Sequence, residues 1–130
     1  MSTTTYDPAA HAALICDWSL SVQPGDAVLV QYPAVATPLA LAVHQAVLER
    51  GAWPALRPDV DGATRAYVEH AADAQLDAAN PIELAEQRAA TKLLRIYAPD
   101  GPEPLAGANP ARVAQLARGR QALRRLARRR

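Results

Sequence analysis

One strand–helix unit constrains this 130-residue chain more than any other feature. Ala27-Val28-Leu29-Val30-Gln31-Tyr32 is a short, β-branched run without polar alternation, the pattern of a strand buried on both faces. Thr37-Pro38 then opens a helix, a capping residue ahead of a proline that gives up no helical hydrogen bond, and Gly51 closes it. Residues 39–50 are apolar on most of the helix circumference, interrupted only by His44, Gln45, Glu49 and Arg50. Such a helix is predicted to be covered on more than one side, as in layered α/β proteins.

The remaining segments extend that pattern. Asp7-Pro8 starts an amino-terminal helix, along which Ala10, Ala13, Leu14, Cys16, Trp18 and Leu20 recur, and Gln23-Pro24-Gly25-Asp26 ends it in a turn. Residues 53–60 form a second strand, which Pro54 and Pro58 make irregular or an edge because each removes a ladder donor. Residues 63–78 read as a helix with Tyr67, Val68, Ala71, Ala72 and Leu76 on one side, and Asn80-Pro81 starts another that runs to Ala90. Lys92-Leu93-Leu94-Arg95-Ile96-Tyr97-Ala98 is the third strand, and residues 99–107 form a Pro/Gly-rich loop. Asn109-Pro110 caps a last helix, in which Val113, Leu116, Ala117, Leu123 and Ala127 fall within an arc of about 120° at the helical period. The predicted fold is therefore α/β: one three-layer domain over residues 1–130, with a short parallel sheet of about three strands flanked by helices.

Composition supports a packed core and narrows the setting. Half the residues are hydrophobic, Phe is absent, and alanine-rich helices favour close helix–sheet packing over an aromatic-filled interior. Cys16, the single cysteine, lies in an apolar helical stretch and reads as a buried, inert thiol. No secretory apolar region follows Met1 and no apolar run approaches about 18 residues, so a reducing, cytoplasmic location without a membrane is expected. The net charge of +1 hides an asymmetry. Residues 1–111 carry 6 basic and 13 acidic groups, whereas residues 112–130, a basic terminal helix, carry 8 arginines and no acid. That polarity predicts that the tail docks onto acidic surface, in its own chain or in a partner.

Chemical motifs are sparse. His11, His44 and His70 sit on separate predicted helices, and neither HExxH nor CxxC occurs. Glu69-His70 with Asp73 and Asp77 can share one side of a continuous helix, a pattern that reads first as a solvated face; a metal site there needs ligands from a second element. The loop Tyr32-Pro33-Ala34-Val35-Ala36-Thr37-Pro38 lacks glycine and a Lys-Ser/Thr pair, which disfavours a dinucleotide or P-loop site. No GxSxG is present. The arginine tail can neutralise phosphates, but it has no aromatic stacking platform and its leucines keep helical spacing. It reads as an amphipathic helix with a solvated basic face, nucleic-acid binding being the less favoured alternative.

Three segments, in order, carry a family resemblance. The first is Ala13-Leu14-Ile15-Cys16-Asp17-Trp18-Ser19-Leu20-Ser21-Val22-Gln23-Pro24-Gly25-Asp26-Ala27-Val28-Leu29-Val30, an opening helix, a turn and a strand. The second runs from Pro38-Leu39 to Glu49-Arg50-Gly51-Ala52-Trp53-Pro54. The third joins Ala98-Pro99-Asp100 to Leu105-Ala106-Gly107-Ala108-Asn109-Pro110-Ala111-Arg112-Val113-Ala114. Together they resemble the amino-terminal region of M29-type metal-dependent aminopeptidases, the thermophilic, aminopeptidase T-like group.

The resemblance implies proteolysis by removal of amino-terminal residues from peptides. Two divalent metal ions per active site would polarise the scissile carbonyl and lower the pKa of a bound water. It also implies that the metal-binding Glu, His and Asp residues lie in a carboxy-terminal catalytic domain beyond the resembled segment. No catalytic, cofactor-binding or metal-binding position is therefore carried over to this sequence. The expected partners are that catalytic domain, a second copy in a homodimer, and peptide substrate. The expected role is a non-catalytic domain, or a truncated form of such an enzyme. The alternative is a stand-alone basic-tailed binding module.

Overall fold

The computed structural model describes residues 5–97 and 105–128. Its centre is a parallel sheet of β1 (Ala27–Pro33), β2 (Trp53–Asp59) and β3 (Lys92–Arg95), in the order β2-β1-β3. β1 is central, as its unbroken apolar run requires, and Val28, Leu29 and Val30 are all buried. Val30 lies level with Leu56 of β2 and with Leu94 of β3. The two prolines of β2 are tolerated because it is an edge strand. β3 is shorter than the run predicted: Ile96 still donates to Gln31 O, but the strand ends at Arg95, and Ala98 lies outside the described residues.

One face of the sheet packs on α1 (Pro8–Leu14) and α2 (Thr37–Glu49). Val28, Val30 and Tyr32 meet Ala40, Val43, Ala46 and Val47 there, with Ala12 and Cys16 beneath α2. Each fully buried valine contributes on the order of 1.5–3 kcal/mol relative to exposure. α2 is covered by the sheet and by α1, but Leu41 and Leu48 remain at the surface, so its apolar circumference is only partly buried. Gly51 closes it as expected, at φ 75°, where a side chain would be strained.

Two helix starts differ in detail. Asp7 caps α1, its carboxylate accepting from the amides of Ala9 and Ala10. Thr37 does not cap α2: it is already helical, and its hydroxyl donates to Ala34 O in the single 3₁₀ turn Ala34–Ala36. Beyond α1 the chain widens into a π-type turn, Ile15–Ser19. The wider turn carries one more residue, which rotates the facing of the side chains after it. Trp18, placed on the apolar side by its spacing, is 80% exposed, as Leu14 already is one turn earlier; the buried side runs through Ala12 and Cys16 instead, while Asp17 reaches Arg50 on α2.

The other side of the chain holds α3 (Ala63–His70), α4 (Asp73–Asp77), α5 (Pro81–Ala89), α6 (Pro110–Gly119) and α7 (Gln121–Arg128). A second apolar cluster, Val68, Leu76 and Leu116, joins α3, α4 and α6. The single helix predicted over 63–78 is two helices. Ala71 and Ala72 are extended, because Arg112 donates to Val68 O and Ala71 O, carbonyls that end α3, and the Gln75 side chain caps Ala72 N. The predicted last helix is likewise broken, at Arg120, where Gly119 packs against the backbone of α4. The break alters the predicted arc: Leu116 and Leu123 are buried, but Ala127 is exposed and Leu126 takes a half-buried position.

Acid should weaken two ties in this framework. Asp17 accepts from Arg50 Nε at 2.8 Å and Nη2 at 3.0 Å, which holds its carboxyl below the usual range. Asp26 is lowered by the Gln23 amide and by the Thr91 hydroxyl, which joins the starts of β1 and β3. Unfolded aspartates take up protons near pH 3.9, above these lowered folded values. The stabilisation is therefore complete above about pH 4 and is lost as pH falls through the folded values. Thermal melts from pH 6 to pH 3 should show a smaller acid loss for an Asp17→Asn/Asp26→Asn double variant than for the parent. Equal losses would count against both contacts.

Candidate functional site

The sequence candidates do not converge. His11 is exposed and bonded to the Tyr6 hydroxyl at 2.8 Å, His44 lies on α2, and His70 is an exposed residue at the end of α3. The break between α3 and α4 separates Glu69-His70 from Asp73 and Asp77, which depended on a continuous helix to share a side. Glu69 pairs with Arg65 at 2.9 Å, and Asp73 and Asp77 accept from the Gln115 amide. Among the described residues no group of three or more His, Cys, Asp or Glu can hold a metal ion. The metal chemistry implied by the family resemblance does not fit the donor set among these described residues.

Cys16 is fully buried, and burial pushes its thiol above the ordinary range. Burial screens the thiol from reagents and favours its protonated, less nucleophilic form. The β1–α2 loop is a 3₁₀ turn without an anion cradle. No described helix is long and apolar enough to cross a membrane.

Part of the basic tail docks within its own chain. Arg112 clamps the end of α3, and Arg120 Nη2 meets Glu83 Oε2 of α5 at 3.0 Å. Arg118, Arg124, Arg125 and Arg128 have no ion-pair partner among the described residues.

One concavity has no motif of its own in the sequence. It is a cleft of about 510 Å³ at the carboxyl end of β2, between the sheet and the α3–α4–α6 cluster. Arg57 and Asp59 of β2 face it from one side, and Glu83 of α5 with Arg120 after α6 from the other. Asp59 is held by both terminal nitrogens of Arg95, at 2.6 and 3.0 Å, a fork that crosses from β3 to β2. The only sequence signal for the cleft is general: open parallel sheets bind ligands beyond the carboxyl ends of their strands.

Three comparisons bear on identity. The sequence model of the family described as thermophilic metalloprotease (M29) matches residues 7–130. AmpT from Thermus thermophilus has a similar solved structure, with a TM-score of 0.71 at 18% identity. The likeness covers 92% of this chain and 31% of the AmpT chain, so this chain spans about a third of that protein's length. No curated protein matches it.

Proposed function

Since this chain belongs to the M29 family of thermophilic metalloproteases, we propose that it is the amino-terminal, non-catalytic domain of a metal-dependent aminopeptidase. The observation that carries this reading is the pairing of the two comparisons. The family match takes in nearly the whole chain, while the fold likeness takes up only 31% of AmpT. Its three-stranded sheet and helices then act as a wall beside the domain that binds metal, shaping access for peptides and contributing to a dimer.

The side chains support the same division of labour. Carboxylates that could serve as ligands are used in structure: Asp17 on Arg50, Asp59 on Arg95, Glu83 on Arg120 and Glu86 on Arg57. Metal ligation by these groups would first have to break those pairs.

Equilibrium dialysis of the pure chain against zinc, cobalt and manganese tests the metal half of the proposal. Less than one tightly held ion per chain is expected. One or two stoichiometric ions, lost on replacing His70 and Asp73, would contradict it.

A further inference from the structure

We propose that the cleft at the carboxyl end of β2 binds an organic carboxylate with an apolar body. This goes beyond the peptidase reading and does not depend on it. Three observations carry it.

The first is the space. About 510 Å³ falls within the usual range for small-molecule sites. Its walls rest on two separate apolar clusters, the sheet core and the α3–α4–α6 cluster, so both sides are supported.

The second is the lining between the charges. Leu56, Pro58, Val60, Ala63 and Leu116 offer an apolar bed for the body of a ligand.

The third is the hydrogen-bonding capacity left over, which is mostly donor capacity. Arg57 engages Glu86 through Nη1 alone, at 3.3 Å, and Arg120 engages Glu83 through Nη2 alone. The other guanidinium N–H groups of both have no protein partner among the described residues. Asn80 spends its carbonyl oxygen on the amides of Ile82 and Glu83, leaving its NH₂ group available. On the acceptor side, both Asp59 oxygens hold the Arg95 fork, and Glu83 holds Arg120 through Oε2 alone. A ligand entering the cleft therefore meets planar, charged donors on both walls, the chemistry that recognises a carboxylate through paired hydrogen bonds. The nearby acids keep the network close to neutral, which disfavours small, strongly hydrated anions and leaves the apolar bed to select the ligand.

The test is a titration of the ¹⁵N-labelled 130-residue chain with 4-phenylbutyrate, followed by amide shifts. Saturable shifts are expected at Ala63, Thr64, Tyr67 and Asn80, with 4-phenylbutyramide binding at least about tenfold more weakly. Arg57→Gln and Arg120→Gln should each weaken the carboxylate by a similar factor, and Arg88→Gln should not. Arg57 lies on an edge strand, so its variant keeps the test decisive if Arg120→Gln disturbs folding. Equal responses to acid and amide, or shifts confined to the arginines of α7, would overturn the proposal. So would a response that Arg57→Gln leaves unchanged. No hydrolysis is read, so failure here would leave the peptidase reading untouched, and the reverse holds too.

Discussion

Replacing Gly119 with alanine is expected to destabilise the protein by about 3 kcal/mol. Local propensity points the other way: alanine in place of a helical glycine gains about 1 kcal/mol. Packing decides the sign. A Cβ on Gly119 would sit 2.0 Å from the carbonyl oxygen of Leu76 and 2.9 Å from the carbonyl carbon of Asp77. Both are backbone atoms, which cannot swing aside as a flexible side chain does. Either α6 moves away from α4, opening the cluster of Val68, Leu76 and Leu116, or α4 unwinds. Urea denaturation followed by circular dichroism reads the change. A neutral or stabilising substitution would mean that α6 and α4 do not approach this closely.

Arg112→Ala is the second large effect, about 3 kcal/mol. Arg112 Nε donates to Val68 O at 2.7 Å, and Nη2 donates to Ala71 O. Its third contact, with Asp73 at 3.8 Å, is weak, since Asp73 is 80% exposed. Truncation would strand the two carbonyls beside an apolar cluster, which costs more than losing an exposed ion pair. Arg112→Lys should recover less than half of the loss, because an ammonium cannot span both carbonyls as the guanidinium fork does. Arg88→Ala, on the exposed side of α5, is the control and should change stability by less than about 0.5 kcal/mol. Matching effects at Arg112 and Arg88 would show that the clamp contributes nothing.

These two sites also mark where sequence reasoning stops. Local pattern correctly reads β1 as buried on both faces, β2 as irregular or an edge because of Pro54 and Pro58, and the helix starts at Asp7, Asn80 and Asn109. Each of these depends on residues close in the chain. The break after His70 does not: its cause is Arg112, which lies 44 residues beyond Val68 and 41 beyond Ala71. The break after Gly119 depends on the Leu76 carbonyl, similarly distant in sequence. A periodic pattern over 63–78 cannot register a guanidinium that arrives from another helix. The cleft is hidden for the same reason, since β2, α5 and the α6–α7 junction each supply only one or two of its charges. The family itself is legible in three ordered segments, and the match over residues 7–130 bears that resemblance out.

The most direct test of a non-catalytic domain is hydrolysis of leucyl-p-nitroanilide by the pure chain, with added divalent cations and at high protein concentration. The rate is expected to equal that of buffer with the same cations. Hydrolysis that follows the protein through purification, stops on chelation and returns with metal would contradict the account.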